Sequence, residues 1–222
     1  MKDIRFLPFD SLSFQKTVYN DDYLFDGDTV NCFCAAPDGR LYVGAGFGLF
    51  FFDGEVFVKY VDILTSVTSV CCVGDTVYAA SGKNVYIVRN DLQIGRLMMD
   101  DEVSALYQDT VYGVIIVTSE GLYRVLDGKN EPLQPDGAVD LTIPVREDAL
   151  SVTSYANTGD GTVLVGTIDG LYMFTPDGAY LFREETLPDK KVNDVFVTDD
   201  RKEIWVATDL GICRIQFDSS IC

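Results

Sequence analysis

Five short segments of the chain share one pattern, and this repeat restricts the fold more than any other feature of the sequence. Each segment has an apolar residue, two small residues, two variable residues, glycine or asparagine, and an aliphatic residue. The copies are VGAGFGL from Val43, AASGKNV from Ala79, IVTSEGL from Ile116, VGTIDGL from Val165 and VATDLGI from Val206. Their sixth positions, spaced 36, 37, 49 and 41 residues apart, are Gly48, Asn84, Gly121, Gly170 and Gly211. Because glycine and asparagine visit positive φ at low cost, this column predicts a left-handed residue in every unit.

A second shared segment lies upstream of each copy, with an aliphatic residue, two small or polar residues and another apolar residue. The segments are VNCF from Val30, VTSV from Val67, VSAL from Val103, VTSY from Val152 and VNDV from Val192. Each unit therefore reads as a strand, a short turn, a second strand, a tight glycine turn, a third strand and a weaker fourth strand. Helical repeats of this length would need apolar spacings of three and four, which the units lack.

Four short strands per unit, at a spacing near 40 residues, indicate the blade of a β-propeller, in which each small sheet buries its faces against its neighbours. We therefore predict an all-β fold, a five-bladed propeller of four-stranded blades forming a single domain over residues 1–222. The expected units are 29–65, 66–101, 102–149, 150–190 and 191–222.

The last unit ends before a fourth strand, and the N-terminal segment offers one. The stretch FLPFDSLSFQK near the N-terminus resembles LFFFDGEVFVK of the first unit, so residues 3–19 read as the outer strands of a blade without inner ones. Pairing this segment with the last unit would remove two exposed sheet edges. The alternative is that the chain is a piece of a larger propeller.

Two units resemble the repeat of two-component-regulator propellers. The segments VNDVFVTDDRKEIWVATDLGICRI and VNCFCAAPDGRLYVGAGFGLFFFDG carry it most fully. Trp205 keeps the tryptophan of that repeat, whereas the other units have Tyr42, Tyr78, Leu164 and, in the third, Gly113 or Val114. The resemblance implies a propeller that senses a ligand in bacterial regulators.

The charge balance disfavours two classes of partner. The chain has 17 Lys and Arg against 35 Asp and Glu, a formal net charge of −18, which repels nucleic acids and anionic membranes. The first ten residues lack the apolar core of a secretory signal, and the longest apolar run, VYGVIIV, is too short for a transmembrane helix. We expect a soluble, cytoplasmic monomer with no nucleic-acid or membrane partner.

The residue types present exclude several kinds of chemistry. The chain has no histidine, which removes Ser-His-Asp and Cys-His nucleophile systems and the commonest metal ligand. Its six cysteines include no Cys-x-x-Cys pair, so we expect free thiols, no metal and no cofactor.

Candidate ligand-binding residues are those that a propeller would place at the mouth of its central channel. They come from the first strands, from the variable turn positions and from the long insertion of the third unit: Asn31, Phe47, Lys83, Glu120, Arg146, Asp169, Asn193 and Asp194. A structural alternative is that first strands need small polar side chains near the axis and that the turns are simply solvated. We expect a non-catalytic recognition or sensor module for a polar small molecule, a glycan or a protein. The alternative is a carboxylate-based hydrolase or lyase with its active site at the same mouth.

Overall fold

The computed structural model describes residues 29–60, 62–90, 92–119, 121–126, 129–132, 151–159, 162–175, 178–183, 185–198 and 202–216. The predicted N-terminal strands at 3–19 and the candidate residues Glu120 and Arg146 lie outside these residues. Within the described ranges no helix is long and apolar enough to cross a membrane.

The regular elements of the described residues are all β-strands, joined by turns. They form five antiparallel sheets that follow one another along the chain. The first sheet contains β1 (Val30–Ala35), β2 (Leu41–Ala45), β3 (Gly48–Phe52) and β4 (Phe57–Lys59). The second contains β5 (Ser69–Val73), β6 (Thr76–Ser81), β7 (Asn84–Arg89) and β8 (Leu92–Met98). The third contains β9 (Val103–Asp109), β10 (Gly113–Thr118), β11 (Gly121–Leu126) and β12 (Lys129–Pro132). The fourth contains β13 (Val152–Asn157), β14 (Val163–Thr167), β15 (Gly170–Thr175) and β16 (Gly178–Phe182). The fifth contains β17 (Val192–Val197), β18 (Glu203–Thr208) and β19 (Gly211–Gln216).

The glycine column of the repeat opens the third strand of each sheet. Four of its members have positive φ, in agreement with the prediction: Gly48 at 139°, Gly121 at 159°, Gly170 at 138° and Gly211 at 143°. The prediction is wrong at Asn84, which is not among the positive-φ residues. In that turn Gly82 takes the left-handed conformation instead, with φ at 55°, so Asn84 enters β7 without it.

Side chains alternate between the two faces of each strand, and the facing sides of consecutive sheets pack together. Tyr42 and Leu49 of the first sheet, for example, share a buried cluster with Val70 and Ala79 of the second. Equivalent clusters join the second sheet to the third, the third to the fourth and the fourth to the fifth. Each sheet is two-sided and apolar, so it depends on its neighbours for burial.

The strand register shows which residue of the third unit corresponds to Trp205. Trp205 precedes Val206, which pairs with Cys213, and the equivalent pair in the third sheet is Ile116 with Tyr123. The counterpart of Trp205 is therefore Ile115, and the sequence assignment to Gly113 or Val114 is wrong. Ile115 is fully buried against the fourth sheet.

The described strands do not form a closed ring. First strands of consecutive sheets contact each other from β1 through β5, β9 and β13 to β17, but no comparable contact joins β17 to β1. The outer face of the fifth sheet consequently exposes Phe196, Trp205 and Ile212, the last of which is 71% exposed. Its counterparts in the first, second and fourth sheets, Leu49, Val85 and Leu171, are 0% exposed. The fifth sheet thus carries an inter-sheet surface that the described residues do not cover.

Candidate functional site

A β-bulge recurs near the start of the first strand and sets the direction of the polar column there. The ladder between β1 and β2 skips one residue, Asn31, between the pairs of Val30 and Cys32. The same irregularity leaves Ser104, Thr153 and Asn193 without a ladder partner in the third, fourth and fifth sheets. A bulge changes the direction of the side chain of the extra residue. The small polar side chains at this position therefore do not follow the regular alternation between the two faces of the strand.

Two members of the bulge column hydrogen-bond to the following sheet. The amide Nδ2 of Asn31 donates to the carbonyl oxygen of Val67 at 2.9 Å, and to Ser66 Oγ at 3.4 Å. The hydroxyl of Thr153 donates to the carbonyl oxygen of Val192 at 2.6 Å. The two carbonyl acceptors, Val67 and Val192, each begin the shared upstream segment of the next unit. The side chains of Asn31 and Thr153 therefore link adjacent sheets, a structural use that accounts for polar residues in this column.

One end of the sheet row gathers the glycine turns and the segments that enter the first strands; we call it the mouth face. Backbone hydrogen bonds hold the two kinds of segment together. The amide of Val67 donates to the carbonyl of Ala45 at 2.9 Å, and the amide of Val103 donates to the carbonyl of Gly82 at 2.9 Å. The turn of one sheet therefore supports the entry segment of the next, so variable turn residues lie beside the bulge column.

The first glycine-rich turn, GAGFG, is explained by this packing. A Cβ on Gly44 would lie 2.5 Å from Cys32 Sγ and 2.6 Å from Val67 Cγ1, and one on Gly48 would collide with the carbonyl oxygen of Ile63. Both glycines therefore permit close approach of neighbouring chain segments rather than of a phosphate. Phe47, which lies between these two glycines, is 62% exposed at the mouth face.

Lys83 lies at the mouth face and lines two cavities there. Its ammonium donates to the carbonyl oxygen of Asp100, and its own carbonyl accepts from the amide of Met99 at 2.8 Å. One of these cavities has a volume of about 580 Å³ and the other of about 550 Å³. The second cavity is shared by three sheets and is lined, with Lys83, by Asp101, Glu102, Ser104, Ser119 and Ser151. Its lining residues include one lysine, two acidic residues and three serines.

Asp169 lies in the turn of the fourth sheet and is held by two cations. Its carboxylate pairs with the guanidinium of Arg183, and lies 3.5 Å from Lys190 Nζ. Arg183 also donates from Nε to the carbonyl oxygen of Asp169 at 3.2 Å. Asp169 is therefore engaged in fixing the chain after β16, with its carboxylate partly exposed at the mouth face.

Asn193 belongs to a hydrogen-bonded group in the fifth sheet that sequence reasoning missed. Asn193 Nδ2 donates to Asp209 Oδ1 at 2.9 Å, and Lys191 Nζ lies 3.1 Å from Asp209 Oδ2. The hydrogen bond from Asn193, and then that from Lys191, hold the pKa of Asp209 below its ordinary value. Asp209 stands in the fourth column of the repeat, where its counterparts are Gly46, Gly82, Ser119 and Ile168. Reading both variable columns of the repeat, instead of the fifth alone, would have found it.

The remaining candidate, Asp194, is exposed on β17 and accepts a hydrogen bond from the amide of Val195 at 2.9 Å. The carboxylates described at the mouth face are all exposed or partly exposed: Asp100, Asp101, Glu102, Asp169, Asp194 and Asp209. The buried carboxylate of Asp109 lies at the other end of β9. Over the described ranges no three His, Cys, Asp or Glu residues are grouped to hold a metal ion.

Comparison with solved structures identifies the fold. The extracellular domain assigned to a hybrid two component system of B. thetaiotaomicron superposes with a TM-score of 0.65 at 14% identity, over 96% of this chain and 30% of that one. The Cps50 (Swd1) β-propeller domain of Myceliophteria thermophila superposes with a TM-score of 0.59 at 15% identity, over 81% of this chain and 62% of that one. The five sheets are β-propeller blades.

A third propeller-like match extends over more of its own chain. A protein of the Mitotic Checkpoint Complex superposes with a TM-score of 0.55 at 12% identity, over 87% of this chain and 79% of that one. No family model matches the chain, and neither does any curated protein. The chain spans less than two thirds of the first two structures, so its blades correspond to part of those longer chains.

The blade arrangement shows how the candidates relate to one another. Asn31, Lys83, Asp169 and Asn193 come from four different blades, and each lies where a turn meets an entry segment. Among these four, Lys83 lines a cavity together with Ser104, Ser119 and Ser151, which belong to other blades. Ser104 also donates to the carbonyl oxygen of Val117 at 3.2 Å.

Proposed function

We propose that this propeller is a non-catalytic recognition or sensor module that binds a polar small molecule, a glycan or a protein segment at its mouth face. The observation that carries the proposal is the cavity of about 550 Å³ beside Lys83. Its volume is in the range of small-ligand sites, and side chains from the second, third and fourth blades converge on it.

The polar lining favours a ligand that carries its own hydrogen-bonding groups. Ser119 and Ser151 supply hydroxyls that can donate and accept, Ser104 supplies an oxygen that can accept, and Lys83 supplies an ammonium. Asp101 and Glu102 accept hydrogen bonds and disfavour a polyanion at this place. A neutral or zwitterionic polar ligand fits this combination best.

Exposure of the mouth carboxylates supports binding over catalysis. A carboxylate-based hydrolase or lyase needs two converging carboxyl groups, of which one is desolvated so that it can act as an acid. Asp101 is only partly buried and Glu102 is exposed, so neither is desolvated in this way. The alternative of an enzyme therefore has less support than that of a recognition module.

A panel of oligosaccharides and polar metabolites, screened by thermal shift, would test the binding proposal. We expect at least one compound to stabilise the protein, and Lys83→Ala to weaken its binding by tenfold or more. Arg96→Ala, on the exposed part of the outer strand β8, is the matched control and should bind as the wild type does. Equal affinity of the Lys83→Ala and Arg96→Ala variants would place the ligand elsewhere and contradict the proposal.

We further propose that the ring closes through residues 3–19, which supply the missing outer strand of the fifth blade. Two observations support closure: β19 has no fourth strand beside it among the described residues, and Phe196, Trp205 and Ile212 form an exposed copy of the inter-blade surface. On the first blade, Phe33 is 72% exposed, although its counterpart Val70 is buried. Closure would bury these apolar side chains and satisfy the free strand edge.

The sequence has one tryptophan, so the fluorescence of Trp205 reports closure directly. We expect acrylamide to quench the full-length chain less than a chain that lacks residues 1–19, and the deletion to lower the melting temperature. Urea-unfolded protein gives the limit of full exposure. An unchanged quenching constant and an unchanged melting temperature after the deletion would contradict closure through this segment. The single domain over 1–222, the cytoplasmic location and the monomeric state remain predictions.

A further inference from the structure

Three cysteines, Cys32, Cys34 and Cys72, lie at the boundary between the first and second blades. Cys32 and Cys34 are two residues apart on β1, and both pack against the buried cluster that the two blades share. Cys72 of β5 belongs to the same cluster and is 4% exposed. Cys71, the adjacent residue, points to the opposite face and packs towards the third blade. The strand alternation thus brings Cys34 and Cys72 to the same side of the boundary.

Cys34 and Cys72 meet at this boundary, and the Cys72 side chain is the main influence on the thiol of Cys34. The Cys72 side chain stabilises the thiolate of Cys34, and lowers its pKa to about 7. The Cys34 side chain, and then burial, raise the pKa of Cys72. Cys34 is partly exposed, whereas Cys72 is buried. The pair therefore combines a partly exposed, readily ionised thiol with a buried thiol in the same inter-blade cluster, the arrangement of an attacking and a resolving cysteine.

We propose that Cys34 and Cys72 form a reversible disulfide that joins the first two blades, made by exchange with a small disulfide such as oxidised glutathione. Both side chains belong to the packed boundary between β1 and β5, so formation of the bond requires only a local approach. Cys213, which lies on the fifth blade, takes no part in it.

The exchange proceeds in two balanced steps. The thiolate of Cys34 attacks one sulfur of oxidised glutathione, which breaks its S–S bond, releases one glutathione thiolate and leaves a mixed disulfide on Cys34. Cys72 then gives up its proton to solvent or to the released thiolate, and its sulfur attacks Cys34 and expels the second glutathione. The protein loses two electrons and two protons in total, and one glutathione disulfide becomes two thiols.

The expected consequence is a redox-dependent attachment of the first blade. The cross-link would close the chain between positions 34 and 72 and limit the separation of β1 from β5 in the unfolded state. Reduced protein would have a lower urea midpoint than oxidised protein. The first blade could then detach more easily under reducing than under oxidising conditions.

The test equilibrates full-length protein in glutathione buffers of defined ratio, followed by alkylation, trypsin digestion and mass spectrometry. We expect a linked pair of peptides, 17–40 with 60–83, which lies two hydrogens below the summed masses and disappears on reduction. Because each peptide holds two cysteines, the variants assign the bond. The linked pair should persist in Cys32→Ser and Cys71→Ser, and should be absent from Cys34→Ser and Cys72→Ser.

Three outcomes would overturn the proposal. The first is that all six thiols stay alkylatable in the oxidising buffer. The second is a linked pair of peptides that survives in Cys34→Ser. The third is a disulfide confined within one peptide. Should Cys72→Ser fail to fold, the exposure of Cys34 makes Cys34→Ser a sufficient variant, and wild-type protein should also show a higher urea midpoint when oxidised. None of these readouts depends on a ligand at the mouth face.

Discussion

The phenolic hydroxyl of Tyr155 donates a hydrogen bond to Asp109 Oδ2 at 2.9 Å, and so ties the fourth blade to the third at the end opposite the mouth face. Both residues are buried. The other oxygen of the carboxylate accepts from the amides of Val111 and Tyr112, each at 2.7 Å. One buried carboxylate thus caps the turn after β9 and anchors the neighbouring blade.

Tyr155→Phe should destabilise the protein by about 1–3 kcal/mol, because it leaves the buried oxygen of Asp109 without this donor. Urea denaturation measures the change. Tyr180→Phe, which removes a hydroxyl from an exposed tyrosine on β16, is the matched control and should lie within about 0.5 kcal/mol of the wild type. Similar losses in the two variants would contradict the role given to the bond between Tyr155 and Asp109.

The same pair predicts a loss of stability at alkaline pH. Burial, and then the charge of Asp109, raise the pKa of Tyr155 above its ordinary value. Above a pH of about 10, unfolded tyrosine releases its proton while folded Tyr155 retains it, so the folded state binds more protons and stability falls as the pH rises. The stabilising contribution is complete below that pH.

Wild-type protein should therefore lose stability more steeply than Tyr155→Phe above pH 10, by up to about 1.4 kcal/mol per pH unit. The measurement is the free energy of unfolding in urea between pH 8 and pH 11. Parallel pH profiles of the two proteins would show that Tyr155 ionises equally in both states, against this expectation.

Gly48 and Gly211 occupy the same column of the repeat. Comparing alanine at the two positions separates the backbone cost of a positive φ from the steric cost of a Cβ atom. Their φ angles are 139° and 143°, so alanine at either position pays a similar backbone cost of about 1–2 kcal/mol. A Cβ at Gly48 also collides with the carbonyl oxygen of Ile63, whereas one at Gly211 meets nothing within 4 Å. Gly48→Ala should therefore be less stable than Gly211→Ala by a further 1–3 kcal/mol or so. Equal thermal midpoints would argue that the Ile63 segment yields freely.

The pKa of Asp209 should depend on the hydrogen bond that its carboxylate accepts from Asn193. Its pKa in the wild type lies below the usual value because Asn193 and Lys191 both favour the charged carboxylate. Asn193→Ala should move this pKa upward, towards the usual value, as followed by carboxyl NMR shifts between pH 2 and pH 6. Asp189→Asn, on the segment before β17, is a control that leaves both partners of Asp209 in place. No upward movement in Asn193→Ala would contradict the contact.

The blade itself was predictable from the sequence, because its determinants are local. Alternation with period two sets the strands, and a glycine column at Gly48, Gly121, Gly170 and Gly211 sets the turn between the second and third strands. The prediction failed at Asn84 because the turn offers an earlier glycine, Gly82, which meets the conformational demand first. The counterpart of Trp205 in the third unit was likewise placed one or two residues too early; strand register puts it at Ile115, immediately before Ile116 of the repeat.

The candidate site was predictable in part. Sequence columns placed Lys83, Asp169 and Asn193 at the turns and first strands, where the structure has them. They gave no sign of Asp209, nor of the use of Asn31 and Thr153 as links to the next blade. Those partners lie 16 to 39 residues away, and no local pattern encodes them.

The sequence alone determined the unit, its strand order and its apolar alternation, because periodicity and φ preferences act within a few neighbouring residues. Only the tertiary structure decided which blades meet. That packing brings together Tyr155 with Asp109, Cys34 with Cys72, and the residues of the cavity beside Lys83. Each of these joins side chains from different blades. Their distances follow from the stacking of whole sheets, which is set by the summed burial of many side chains and not by any single segment.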